Sequence, residues 1–120
     1  MDTAEIARLY DFTDQTILVT GGAGVLCSDG AVALAGCGAN VVILDRNSVA
    51  LQAVVDRFQP RQGAGRIFAV DKTLAEFGAI DGLINGAGGN RPDATTNPGK
   101  SFFDLPLDAI RWVFELNLSS

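Results

Sequence analysis

The sequence predicts an α/β fold built on a doubly wound parallel sheet, and three observations carry that expectation. Thr16-Ile17-Leu18-Val19-Thr20 and Val41-Val42-Ile43-Leu44 are short β-branched and apolar runs, as strands covered on both faces require. Each is followed by a stretch with helical character, so strand and helix alternate and crossovers join parallel strands. The first run passes directly into Gly21-Gly22-Ala23-Gly24-Val25-Leu26-Cys27, a glycine turn at a strand-to-helix junction.

The elements follow in order. Residues 1–14 form an amphipathic arm; either Ile6, Leu9 and Tyr10 cover the sheet edge, or the arm is loose. After the strand at 16–20, a helix over 25–36 has a small face of Ala31, Ala33, Leu34 and Ala35 that can lie close to the sheet. Gly38 stops it. A second strand spans 40–44. Asn47 or Ser48 caps a helix over 49–58, with Leu51, Val54, Val55 and Phe58 on one face. Residues 60–65 turn, residues 66–70 make a third strand ending at Asp71, and residues 82–85 make a fourth. Only the stretch from Asp71 to Gly82 separates the last two strands, and a parallel crossover needs about a dozen residues or more with a helix of several turns. Either this crossover is stunted or a segment is missing; the expectation is the second. Gly86-Ala87-Gly88-Gly89 opens a second loop where a ligand can approach backbone, and residues 89–106 form a long Gly/Asn/Pro/Thr-rich loop. Pro106 leads into a helix over 107–118. Its apolar residues spread over more than one face, so it is expected to be buried on two sides, inside the domain or against another subunit.

Composition narrows the function. A chain of 120 residues, 48% hydrophobic and 19% charged, is an ordinary soluble profile with room for one domain rather than two. Residues 1–120 are accordingly read as a single domain. The net charge of -5, with no basic run, argues against nucleic acid or an anionic membrane as partner. No apolar run matches a membrane span, and the N-terminus lacks signal-peptide character. Cys27 and Cys37 fall near opposite ends of one helix and read as buried free thiols in a reducing, cytoplasmic setting. Histidine is absent, which excludes a Ser-His-Asp triad, a Cys-His pair and a histidine metal site; two cysteines do not make a zinc site, so no metal is expected.

The glycine turn is the main functional signal. Gly22-x-Gly24-x-x-Cys27 is the dinucleotide fingerprint G-x-G-x-x-G with its last glycine replaced. The first glycine permits a tight turn, and the second lets a pyrophosphate approach the backbone. The third normally lets helix and strand pack closely, so with Cys27 that packing should be looser or shifted. The following helix start offers unpaired N–H groups and partial positive charge. A glycine turn can also bind nothing. Asp45 weighs against that reading, because it ends the second strand about 20 residues beyond the glycines, where a carboxylate accepts both ribose hydroxyls of the adenosine half. The architecture is therefore Rossmann-like, and incomplete at its C-terminal side.

Taken together, these residues resemble the N-terminal half of the short-chain dehydrogenase/reductase family. The matching pieces are Thr20-Gly21-Gly22-Ala23-Gly24-Val25-Leu26, Asp45, Asp71, Asn85-Gly86-Ala87-Gly88 and Asn117. The Leu26-Cys27 variant, with residues 84–90 and Ala94-Thr95-Thr96, looks most like a bacterial branch assigned to sugar acids such as mannonate or fructuronate. The resemblance implies that the backbone of Gly21, Gly22, Gly24, Val25 and Leu26 holds a pyrophosphate. It implies that Asp45 binds the adenosine ribose and favours NAD, because a carboxylate repels the 2′-phosphate of NADP, while Arg46 argues for NADP. It places Asp71 at the adenine, and Asn85, Ala87 and Gly88 at the sheet end and the nicotinamide ribose. Asn117 matches the asparagine that anchors a water in the catalytic proton relay. The plain alternatives are that Asp71 caps a turn and that Asn117 is a polar helix-end residue. The implied substrate is an alcohol, ketone or sugar acid, and the implied full-length protein is a homo-oligomer. Three departures stand out: Val25 and Cys27 where the usual spacing has glycine, Asn85-Gly86 where two asparagines are usual, and the short third crossover.

The family's chemistry also needs a tyrosinate and a lysine four residues later. Here the single tyrosine, Tyr10, is followed by Asp14, and the lysines are Lys72 and Lys100, so no such pair occurs. Two functions remain open: the cofactor-binding part of an NAD-dependent oxidoreductase whose catalytic pair lies beyond these residues, or a stand-alone nucleotide-binding module. A Rossmann methyltransferase is disfavoured by the 85–88 loop and Asn117.

Overall fold

The computed structural model describes residues 1–69 and 78–119. The chain divides into two units, Met1–Gly86 and Ala87–Ser120.

The first unit is a parallel sheet with helices. Strands β1 (Thr16–Thr20), β2 (Asn40–Leu44), β3 (Arg66–Ala69) and β4 (Gly82–Asn85) form one sheet in the order β3-β2-β1-β4. All three pairings are parallel. Helix α1 (Thr3–Leu9) precedes the sheet, α2 (Val25–Gly36) joins β1 to β2, and α3 (Ser48–Arg57) joins β2 to β3. The core is made by the apolar runs that define the strands: Val19, Val41, Val42 and Ile43 are fully buried, and Ala31 and Ala35 of α2 with Leu51 and Val54 of α3 cluster with Val19, Val41 and Ile43. The small residues of α2 bring it close, and Asn47 caps α3 by accepting the Ala50 N–H at 3.0 Å. Gly38, at φ 100°, turns the chain after α2.

Two expectations for this unit fail. Ile6, Leu9 and Tyr10 do not cover the sheet edge. Asp2 and Glu5 form a capping box that starts α1, and no residue of that helix is buried. Ile6, Leu9 and Tyr10 stay exposed, so the local cap organises this helix without burial. The cysteines are free but not buried: Cys37 is exposed and Cys27 half-buried. They sit at the ends of α2 rather than on its sheet-facing middle. The third strand is described over Arg66–Ala69; Val70, expected to continue it, and Asp71 in the crossover lie outside the described residues.

The second unit is held by short local structures. Two 3₁₀ turns, Pro92–Ala94 and Phe102–Asp104, flank a single bridge between Asn97 and Lys100, so the expected long loop is largely structured. Helix α4 (Leu107–Phe114) passes into a π-turn over Glu115–Ser119. The expectation of a regular helix over 107–118 is therefore corrected in its length, and within this chain the helix is not buried on two sides. Ala109 alone is buried among the described residues of α4, and Leu107, Phe114 and Leu118 are exposed. A physical cause for the changed winding is visible. The Asn117 side chain donates to the Val113 carbonyl at 2.7 Å, the acceptor that its own backbone N–H would use in an α-helix. Among the described residues, no helix is long and apolar enough to cross a membrane.

Candidate functional site

Sheet order locates the site in the first unit. From β1 the chain steps outward to β2 and β3, then returns to β4 on the other side of β1. That reversal is a topological switch point, and open parallel sheets bind ligands outside the carboxyl ends of the strands at such points. Register places three predicted segments there. Thr20 pairs with Leu44 and with Asn85, so the glycine turn, Asp45 and the Asn85–Gly86 end leave the sheet at the same edge.

The glycine turn has a separate reason for each glycine. Gly21 adopts φ 65°, the left-handed region that side chains disfavour. Gly22 donates to the Leu44 carbonyl at 3.0 Å, and a Cβ on it would come within 2.6 Å of Ile43 Cβ. Gly24 donates to the Gly21 carbonyl at 2.9 Å and stands at the N-cap of α2 without a side-chain cap. The first N–H groups of α2 thus have no side-chain acceptor, and the helix dipole concentrates positive potential there. Val25 and Leu26 around them are 81% and 86% exposed. This is a cradle in which backbone donors, rather than side chains, face an incoming group.

Asp45 is tied to that cradle. One carboxylate oxygen accepts the Ala23 N–H at 3.2 Å and the other accepts the Asn47 N–H at 3.1 Å. The acid is therefore held at the junction of the glycine turn and the β2 end, with lone pairs to spare for further donors. Arg46 beside it is exposed. At β4, Asn85 is exposed, and the Gly86 N–H donates to both the carbonyl (3.1 Å) and the hydroxyl (3.2 Å) of Thr20. Asp71 lies outside the described residues, and its assignment has no geometry here.

Sequence reasoning missed Asp81. Its carboxylate accepts the Thr16 N–H at 2.7 Å while its own N–H donates to the Thr16 carbonyl at 2.8 Å. The pair clips β4 to β1 at the end opposite the site. A carboxylate directly before a short apolar run was the available signal. Arg57 was also missed; it bridges α3 to Asp29 of α2 at 2.9 Å, an exposed pair of small energetic weight.

In the second unit, Ala87, Gly88 and Asn117 form one local arrangement. The Asn117 amide pairs with Gly89 as a backbone group would: its oxygen accepts the Gly89 N–H at 3.0 Å and its nitrogen donates to the Gly89 carbonyl at 2.8 Å. A Cβ on Gly88 would collide with the Asn117 side-chain oxygen, which explains glycine at that position. Ala87 is exposed beside it. Nearby, Arg91 forks onto Asp93 at 2.6 and 2.9 Å and lies over the Trp112 ring, and Lys100 donates to the Asp93 carbonyl at 2.6 Å. An open cleft of about 410 Å³ in this unit is lined mainly by apolar side chains, among them Ile110, Val113 and Phe114. Among the described residues, no cluster of His, Cys, Asp or Glu could hold a metal ion.

A parallel sheet ordered 3-2-1-4, with a glycine turn at its switch point, defines a Rossmann-like α/β fold. The short chain dehydrogenase family model matches residues 15–120, and the chain belongs to that family. It is similar to UxuB, an uncharacterized oxidoreductase of Bacillus subtilis, at 39% identity over 88% of this chain and 45% of the relative. It is similar to a 7alpha-hydroxysteroid dehydrogenase of Escherichia coli at 31% identity, over 86% of this chain and 42% of the relative. Among solved structures, it resembles a Haemophilus protein with bound NAD, provisionally assigned as a D-mannonate oxidoreductase. The TM-score is 0.71 at 34% identity, covering 94% of this chain and 48% of that one. The chain thus spans about half the length of the curated relatives it matches.

Proposed function

We propose that this chain binds NAD at the carboxyl edge of its sheet and supplies the cofactor side of a short-chain alcohol, ketone or sugar-acid oxidoreductase. The observation that carries the reading is Asp45 hydrogen-bonded to the glycine turn, which unites an anion cradle and a ribose-binding acid in one place. The residues fit the cofactor. Gly21, Gly22 and Gly24 leave the backbone bare, and the N–H groups of Val25 and Leu26 face the pyrophosphate. Asp45 accepts the adenosine ribose hydroxyls and disfavours a 2′-phosphate, and Arg46 moderates that preference. Asn85, Ala87 and Gly88 take the nicotinamide-ribose side. Bound NAD supplies hydride acceptance. The NAD-bound Haemophilus relative supports this choice of cofactor, and its provisional name supports a sugar acid as substrate.

Asn117 contributes to the proton relay. Its side-chain amide is engaged by Gly89 and Val113, which fixes where the residue stands at the helix end. The 120 residues contain no Tyr-x-x-x-Lys, so the base that takes the hydroxyl proton is not among them.

Asp45→Ala tests the assignment. Losing hydrogen bonds to a charged acceptor is expected to weaken NADH binding about tenfold or more and to narrow the preference over NADPH. Calorimetric titration of both cofactors decides. Unchanged affinities for both would remove Asp45 from the site.

A further inference from the structure

One departure in the phosphate turn and one in the 85–88 loop meet in space. Cys27 stands where the fingerprint has its third glycine, the one that brings helix and strand together. Gly86 follows the last residue of β4. A Cβ built on Gly86 would overlap Cys27 Sγ and lie 2.8 Å from the Thr20 carbonyl oxygen. Gly86 cannot retreat from this contact, because its N–H is held by the Thr20 carbonyl and hydroxyl. The room that a glycine on the helix would provide is provided from the strand side instead.

We propose that Cys27 and Gly86 are a size-matched pair of positioning residues that sets where the first turn of α2 sits against the β1 and β4 ends. The proposal rests on the NAD-binding reading above. Cys27 belongs to the same helical turn as Val25 and Leu26, whose N–H groups form the cradle. A side chain at position 86 therefore pushes on Sγ and displaces those donors. Neither residue needs to touch the cofactor; the pair acts through the backbone of residues 24–27.

A double-mutant cycle of the wild type, C27G, G86A and C27G/G86A tests this, with NADH Kd and Tm measured for each. G86A is expected to weaken NADH about tenfold. In the C27G background the same substitution is expected to cost only about threefold, the Thr20 carbonyl accounting for the remainder. Equal losses in the two backgrounds would overturn the pairing. A shift in Tm with Kd unchanged would reduce it to packing and overturn the positioning role. If G86A does not fold, C27M enlarges the contact from the other side; weakened NADH binding supports the pair, and an unchanged Kd overturns it. Failure of the wild type itself to bind NADH would refute the NAD reading and the positioning role with it, while coupling in Tm would still show whether the two side chains are matched.

Discussion

The two units of this chain are ordered by different physics. In Met1–Gly86, the sheet buries Val19, Val41, Val42 and Ile43 completely, and side-chain hydrogen bonds are accessory. In residues 87–119, Ala109 is the single described residue that is fully buried. Order there comes from side chains bonding to nearby backbone: Asn90 and Thr95 around Arg91, Asn97 at its tight bridge, Ser101 with Asp104, and Asn117 on Gly89. Apolar burial stabilises in proportion to area and reaches across the whole sheet, whereas each exposed hydrogen bond adds little net free energy and acts locally. The first unit is thus a scaffold that fixes a binding edge; the second is a set of local clips.

The largest effect should come from the scaffold. Ile43→Ala removes a fully buried side chain that also packs against Gly22, and is expected to cost about 2–5 kcal/mol. Chemical denaturation checks it. A comparable loss from Phe103→Ala, at a side chain 93% exposed, would erase the contrast between the units. Asn117→Ala comes next. It removes the bonds to Gly89 and Val113 and should cost about 1 kcal/mol, felt as faster hydrogen exchange at the Gly89 amide. Unchanged protection of Gly89 would show that something other than Asn117 holds that loop.

The smallest effect concerns pH. The Ser101 hydroxyl and N–H both donate to Asp104, which holds its carboxyl below the ordinary range. A carboxyl depressed in the folded state stabilises fully above its unfolded pKa, and that stabilisation is lost as pH falls through the lower folded value. A carbon-detected titration of Asp104 should show the low midpoint, and Ser101→Ala should raise it. An ordinary midpoint in the parent protein would contradict the capping geometry.

The same contrast explains what was legible in the sequence. Buried parallel strands must be continuously apolar, so β1 and β2 could be bounded from residue type alone; β4 was bounded by its short apolar pair Leu83-Ile84, although both side chains stay exposed. The glycine turn and Asp45 were legible because their spacing reflects strand and helix lengths in the fold itself. The end of α4 was not, because the Asn117 amide that takes the Val113 carbonyl is also held by Gly89, a contact across 28 positions. Cys27 was misread as buried because residue type suggests a core thiol, while its place in the first turn of α2 puts it at the rim, against a glycine that no local pattern links to it.

The most direct test of the central claim is an amide chemical-shift titration of the protein with NADH. The account predicts that the largest shifts fall on residues 21–27 and on Asp45, saturating together. Shifts confined to other residues, or none at millimolar NADH, would contradict a dinucleotide site at the carboxyl edge of the sheet.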